Sequence, residues 1–300
     1  MVRTNLLEQI LTNMQGGGAQ ERRISVGDSS VLAIRHLQKT SFEFQTYQPV
    51  ICLILQGEKE LVCANEPFRA RAGQMVVISH DIHVLARIKS ATPQKPYAAL
   101  IIPIDLLKLR DIRLNNGREP DNRSGSSALS VGDSPAELEN AAARYLSLHD
   151  RPLEAEILAP HVLHEIYFRG LISDSGGMLR ELLIRDSHAD RIHRAVQYIR
   201  GNYQSRITIG GLAREVGMSN SSFHSHFRRI TNTTPLKMQR DLRLMEVRDR
   251  LRLSRETLST LADEVGYATL AQLSRQYKKK FGRSPLKDRN ESLQRSEIER

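Results

Sequence analysis

Between positions 44 and 104 the apolar residues fall into short runs, among them Val50 to Leu55, Glu60-Leu61-Val62-Cys63, Met75 to Ile78 and Ala98 to Ile102. Turn formers separate them: Gln56-Gly57, Asn65-Glu66-Pro67 and Ala72-Gly73. Short, closely spaced strands of this kind predict a small barrel or sandwich. Residues 115–134, rich in Asn, Gly, Pro, Ser and Asp, read as a loop. Ser134-Pro135-Ala136-Glu137 then reads as an N-cap with Pro at the first helical position. Helical patterns follow over roughly 135–149 and 153–172, with a break at Ser173 to Gly177 and a short helix over 178–186. From Ala189 onward the pattern is helical almost throughout.

That helical stretch repeats itself. Leu212-Ala213-Arg214-Glu215-Val216-Gly217 returns 49 residues later as Leu261-Ala262-Asp263-Glu264-Val265-Gly266. Phe223 and Phe227 return as Leu273 and Tyr277 at an offset of 50, and Thr234-Pro235-Leu236-Lys237 as Ser284-Pro285-Leu286-Lys287. One inserted residue in the second turn accounts for the change. Chance rarely aligns such a block and then recovers the register after a single insertion.

Each copy carries the parts of a helix-turn-helix. Leu212 and Val216 share a helix face, Ala213 leaves room for a crossing helix, and Gly217 sits where the chain must turn out of the helix. Ser219 can cap the next helix. At 100° per residue, the side of that helix away from Phe223 and Phe227 carries Ser221, Ser225 and Arg228, with His224 beside them and Asn220 at its start. The second copy presents Ala271, Arg275 and Lys278, with Ser274 beside them and Thr269 at its start. Small, polar or cationic residues on such a face suit a major groove. Arg229, Lys279 and Lys280 are expected nearer the phosphates, supplying salt-dependent affinity. The competing reading of either copy alone is a solvated face of an ordinary bundle; two copies in register weigh against it. Pro235 to Leu253 reads as a joining helix, with Met238, Leu242, Met245 and Leu251 inward. Successive major grooves on one face of B-DNA lie roughly 34 Å apart, so a rigid connector matters.

Charge sharpens this picture. The net charge is +10 and the pI near 9.8. Residues 190–300 hold 23 Lys and Arg against 12 Asp and Glu, while the other 189 residues hold 21 against 22. All the positive excess lies in the last third, as expected of a polyanion reader attached to a near-neutral domain. With 300 residues, 40% hydrophobic and 26% charged, two globular domains are expected. No stretch is long and apolar enough to cross a bilayer, and Met1 to Gly18 lacks the apolar core of an export signal. Two cysteines fit a reducing cytoplasm rather than a disulfide framework.

The residues from about 190 to 288 resemble the DNA-binding domain of the AraC/XylS regulators. The resemblance rests on Ala195-Val196-Gln197-Tyr198-Ile199, Leu212-Ala213, Gly217-Met218-Ser219 and Phe227-Arg228-Arg229. It continues through Arg243-Leu244, Ala262 and Glu264 to Tyr267, and Tyr277 to Pro285. Departures are Thr231-Asn232-Thr233, where the family often has a glycine, and Leu270-Ala271 at the start of the second reading helix. Residues 20–186 are more distantly similar to the cupin-like effector and dimerisation domain of one AraC-type branch. The resemblance implies an α+β chain: a cupin-like β-barrel with helices over 1–186, then an all-α domain over 187–290 with two helix-turn-helix units joined by a long helix. A polar tail follows over 291–300. It implies a cytoplasmic homodimer that regulates transcription, as an activator or as a repressor, with double-stranded DNA and RNA polymerase as partners, a small molecule or reactive species as effector, no cofactor and no membrane.

The chemistry of the first domain is open. His80 and His83 near a strand end invite a metal reading, but lack the paired-histidine-plus-glutamate spacing, so surface or pocket histidines remain the alternative. His161 and His164, one turn apart beside Glu165, read as a packed or solvated helix face rather than a metal site. Cys52 and Cys63, on strands flanking the turn at Gly57, are candidate sensors of oxidants or electrophiles; the alternative is two buried cysteines acting as small apolar residues. No complete metal-ligand set, nucleophile elbow or phosphate loop supports an enzyme. An architectural DNA protein would lack so large a first domain.

Overall fold

Six apolar residues in a row, Val50 to Leu55, show no alternation because the strand they form is covered on both faces. The computed structural model describes residues 2–14, 20–63, 66–112, 127–253 and 256–290. The chain forms two units, residues 1–193 with 228–232, and residues 194–227 with 233–300. The expected polar tail at 291–300 lies outside the described residues.

In the first unit a six-stranded antiparallel sheet has the order β1 (Gln20–Val26), β2 (Ser29–His36), β9 (Tyr97–Pro103), β4 (Val50–Gln56), β7 (Gln74–Ile78), β10 (Leu129–Asp133). A four-stranded sheet has the order β3 (Glu43–Tyr47), β8 (Ile82–Ser90), β5 (Glu58–Cys63), β6 (Glu66–Arg71). Strand structure thus begins well before position 44. Of the expected loop, residues 113–126 lie outside the described residues, and 129–133 form β10 instead, paired with β7 from Leu129↔Ile78 to Asp133↔Gln74. The polar composition of β10 is that of an edge strand, which keeps one side unpaired.

Helices α1 (Val2–Asn13), α3 (Ala136–Ser147) and α4 (Pro152–Ile172) supply Leu6, Ile10, Leu138, Ala142, Leu163 and Ile166 to one core with Ile51, Leu53, Met75, Val77 and Leu100 of the large sheet. Two phenols tie these helices to strand ends: Tyr167 donates to the Pro103 carbonyl (2.7 Å) and Tyr145 to that of Val26 (3.3 Å). The start of α3 is displaced by one residue from expectation. Pro135 is its cap residue, and the Pro135 carbonyl accepts from Leu138 and Glu139 rather than a serine side chain capping the turn. Short helices α2 (Leu106–Arg110) and α5 (Gly177–Leu183) complete this unit, and α6 (His188–Gly201) begins in it.

At the start of α6, His80 is fully buried: its Nε2 donates to the Ala189 carbonyl (3.0 Å), and its Nδ1 lies 2.8 Å from Ser79 Oγ. A carbonyl only accepts, so Nε2 carries a proton. Its edge meets His193, with ring centroids 5.9 Å apart. Beside them Arg110 pairs with the buried Asp190 at 2.6 Å. Desolvation pushes both imidazoles down to about 4, with Arg110 adding to the effect on His193 and Asp190 opposing it. In the unfolded chain both protonate near 6.5. The unfolded state therefore binds more protons below that value, and the stability carried by the neutral rings, complete above it, is lost as pH falls toward 4. Each ring should cost on the order of 2 kcal/mol at about pH 5. Thermal melts between pH 7 and 4.5 should show this decline, and His193→Gln should flatten it by about half.

Candidate nucleic-acid interface

Six Ser or Thr side chains set the helix starts of the repeat in matched pairs. Thr208 and Thr257 cap α7 (Ile209–Glu215) and α10 (Leu258–Glu264), accepting from Gly211 and Thr260 at 3.1 Å. Ser219 and Thr269 accept from Ser222 (3.3 Å) and Gln272 (3.2 Å) at the starts of α8 (Asn220–Thr231) and α11 (Leu270–Phe281). Thr234 and Ser284 accept from Lys237 and Lys287 at 3.4 Å, the first of these at the start of α9 (Pro235–Leu253). Such caps satisfy donors that a helix cannot satisfy itself.

The turns match as closely. After α7, Gly217 donates to the Arg214 carbonyl and Met218 to that of Ala213; after α10, Gly266 donates to Asp263 and Tyr267 to Ala262. These are Schellman closures, which put the glycine in the left-handed region, at φ of 66° for Gly217 and 86° for Gly266. At Gly266 a Cβ would stand 2.0 Å from the Gln204 carbonyl oxygen, so no other residue fits. Leu212, Ala213, Val216, Phe223 and Phe227 are buried in the first copy, and Leu261, Ala262, Val265, Leu273 and Tyr277 in the second.

The opposite faces carry the expected candidates. Asn220, Ser221, His224, Ser225, Arg228 and Arg229 are exposed on α8; so are Thr269, Ala271, Arg275, Lys278 and Lys279 on or before α11, with Ser274 half-buried. Arg275 lies about 200° around the helix from Leu273. The exposed Thr269 also caps its helix, so its hydroxyl already has one partner.

Lys280 corrects the expected set of phosphate contacts. Its ammonium pairs with the buried Asp241 of α9 at 3.0 Å, with only 8% of its side chain exposed. This cation is part of the packing of α11 on α9. The joining helix differs too: Met238 and Leu251 are buried as expected, but Leu242 and Met245 are half-buried while Leu244, Val247 and Asp241 are buried. A helix that packs on elements at both ends and on more than one side shows no single apolar stripe.

Two residues outside the expected set hold the interface in shape. Arg243 of α9 donates from Nε to the Tyr203 carbonyl (2.6 Å), from Nη1 to that of Gly266 (2.6 Å), and from Nη2 to those of Gln204 and Ser205 (3.0 and 3.1 Å). Its partners lie 23 to 40 residues away, which no local spacing reveals. Asp288, 2% exposed, accepts from the Tyr277 hydroxyl (2.7 Å) and Arg248 Nε (3.2 Å), closing the end of the second copy.

The candidate chemistry of the first unit is placed as follows. His80 is buried in the hydrogen bonds given above, His83 Nδ1 faces Thr46 Oγ1 at 2.9 Å, and His161 and His164 are exposed on α4. Among the described residues no three His, Cys, Asp or Glu side chains converge on a metal position, and no helix is long and apolar enough to cross a membrane. Cys52 and Cys63 are both free and buried. Desolvation pushes the Cys52 thiol up to about 11 and raises Cys63 too, away from the thiolate that reacts with electrophiles.

Comparison with known proteins agrees with this geometry. Residues 29–178 match the family described as AraC-type transcriptional regulator N-terminus, and residues 212–291 a helix-turn-helix domain family. The HTH-type transcriptional activator RhaS of Pectobacterium atrosepticum is 29% identical over 100 residues, 33% of this chain and 36% of that protein. The raffinose operon transcriptional regulatory protein RafR of Pediococcus pentosaceus is 30% identical over 102 residues, 34% of this chain and 37% of that one. The similarity thus spans little more than a third of these relatives. ToxT from Vibrio cholerae shares the fold over 90% of this chain and 97% of its own, with a TM-score of 0.57 at 11% identity. A second ToxT structure, with unsaturated fatty acid bound, gives a TM-score of 0.57 at 12% identity over 87% of this chain and 95% of its own. With one family match covering half of its length and another covering its twin helical units, the chain belongs to the AraC/XylS family of transcriptional regulators.

Proposed function

We propose that this protein is a sequence-specific DNA-binding regulator of transcription, working as a homodimer under the control of a small molecule held by its first unit. The observation that carries the reading is the pair of capped, in-register helix-turn-helix units with uncommitted side chains on both outward faces. Arg228, Arg275, Lys278 and Lys279 have no ion pair or hydrogen bond to protein among the described residues, so their donors are free for DNA. Helices α8 and α11 enter successive major grooves, with α9, about 28 Å long, as the spacer. Activation, the mode named for RhaS, brings RNA polymerase in as a protein partner. The unsaturated fatty acid named with ToxT supports a small-molecule effector for this chain as well.

The roles assigned to the cations separate in binding measurements. Arg275→Ala removes a guanidinium suited to bidentate contact with guanine O6 and N7; it should cost about 1–3 kcal/mol on the cognate site and relax preference at one or two base positions. Lys279→Ala should weaken every sequence alike and lower the salt slope by about 1. Lys280→Ala should instead lower stability by about 3 kcal/mol, because it leaves Asp241 buried and unpaired. Anisotropy titrations on a library of single-base operator variants, with denaturant melts, check all three. A uniform loss for Arg275→Ala would reassign it to the backbone.

Dimerisation is assigned to α4. Leu153 (84% exposed), Ile157, Phe168 and Ile172 lie near the two ends of this helix, either side of the polar stretch with His161, His164 and Glu165. Antiparallel pairing about a two-fold axis sets the first pair of one copy on the second pair of the other. Ile157→Lys with Ile172→Lys should turn a dimer at tens of micromolar into a monomer by sedimentation. Affinity for paired half-sites should fall at least about tenfold while a single half-site is bound as before.

Cys52 and Cys63 serve as lining of the first unit rather than as a thiol switch. Iodoacetamide at pH 8 should leave both unmodified in the folded protein and label both after unfolding. Rapid labelling of either in the folded state would restore the sensor reading.

A further inference from the structure

The two helix-turn-helix units agree in their caps, turns and buried residues, and differ at one place. The leading end of α8 carries Asn220 and Ser221; the matched positions of α11, 50 residues on, are Leu270 and Ala271. The core does not take up either: Leu270 is 42% exposed and Ala271 is exposed. Ala268, just before the helix, is exposed as well. The hydroxyl of Thr269 is engaged in the cap, accepting from the Gln272 amide at 3.2 Å. The leading end of α11 is therefore rich in methyl groups, and the first exposed polar side chain within the helix is Arg275.

Ala271 lies about 160° around the helix from the buried Leu273, and Arg275 about 200°. The two share the outward face, about 40° apart, with about 6 Å between them along the axis. A helix of this kind meets base edges with its N-terminal residues, so Ala271 precedes Arg275 into the groove. A single exposed alanine is ordinary on a helix surface. Here it stands where the twin unit has a serine, on the face turned away from the core, one turn before an exposed guanidinium.

A methyl group neither donates nor accepts a hydrogen bond. Among the features that base pairs show in the major groove, one is apolar, the 5-methyl of thymine. The others are donors or acceptors, which an alanine would cover and leave unpaired. An alanine on this face therefore has one base that it can favour. Base pairs stack about 3.4 Å apart, so a separation of about 6 Å sets that base one or two pairs from the guanine opposite Arg275. We propose that Ala271 is a specificity-determining residue that selects thymine through its 5-methyl, so that α11 reads a thymine and a guanine together. The proposal rests on the groove reading given above for α11, and adds the base and the group on it that is recognised.

The test uses the full chain and DNA alone. Enrichment from a pool of random-sequence duplexes gives the preferred site. Each of its thymines is then replaced singly by deoxyuridine, which lacks the 5-methyl and keeps every hydrogen-bonding group. One replacement should weaken binding about fourfold, the effect of one methyl returned to water. It should lie one or two base pairs from the position at which Arg275→Ala relaxes preference, and Arg275→Ala should keep the fourfold loss. In Ala271→Gly and in Ala271→Gln, thymine and deoxyuridine at that position should bind equally. Each comparison is a ratio within one preparation, so any loss of folded protein cancels from it. If every deoxyuridine duplex binds as its thymine parent does, or if the loss persists in both Ala271 variants, the proposal is overturned while reading by Arg275 stands. A pool that yields no preferred sequence overturns the groove reading as well.

Discussion

Arg243 sits where the two helical copies must be held in one register. Its planar guanidinium donates to carbonyls of Tyr203, Gln204 and Ser205, in the segment leading into the first copy, and to Gly266, in the turn of the second. Gln239, one turn earlier on α9, adds bonds to Tyr203 and Ser205 at 2.8 and 2.6 Å. A rigid fork bonding several fixed carbonyls tolerates little rotation of one part against another. The spacing of α8 and α11 is then a property of the folded protein rather than something DNA must impose, and less ordering free energy is spent on binding. The left-handed turn at Gly266 belongs to the same constraint: its carbonyl is one of the four, and the space a side chain would need there is filled by Gln204.

That constraint divides the basic residues into two classes which a net charge cannot distinguish. Arg243, Arg248, Arg250 and Lys280 are committed to carbonyls or carboxylates of the protein. Arg228, Arg275, Lys278 and Lys279 are exposed on the outward faces. Cations committed within the protein have less to offer a phosphate, so on the reading proposed above the salt dependence of DNA binding should be smaller than the charge excess of the last third suggests. Three consecutive lysines illustrate the division: Lys278 and Lys279 face solvent, and Lys280, a further 100° around, is carried back onto α9.

What could be read from the sequence follows the range of the interactions involved. The twin helix-turn-helix units were legible because caps and Schellman turns act over three to five residues: Gly217 and Gly266 each close a helix, and Ser219 and Thr269 each cap the next, two and three residues later. The outward faces followed from helical periodicity alone. Lys280 and Arg243 were not legible in this way, since their partners lie 39 and 23 to 40 residues away along the chain. In the first unit, strands β4, β7 and β9 were marked by apolar runs because both of their faces are buried. β1 and β10 are edge strands in which polar residues interrupt the pattern, and β10 was read as loop. The proximity of Lys59, Gln45 and Tyr47 was hidden for the reason that hid Arg243: it depends on how strands of one sheet are ordered, which spacing does not encode.

Two lysines show how differently one side chain can be used. Lys280 is nearly buried and faces Asp241, so each charge is the compensation for the other, and removing either leaves an orphan. Lys59 is as deeply buried, and among the described residues its partners are a phenol, an amide oxygen and an aromatic face. Neutral partners compensate a cation incompletely, and an uncompensated cation is an expense that a core made of Ile, Val and Ala has no need to carry. The pairing at Lys280 is between opposite charges, whereas that at Lys59 is between a cation and neutral groups. A related distinction separates Arg243, whose donors are consumed by carbonyls, from Arg275, which is exposed and has no ion pair or hydrogen bond among the described residues.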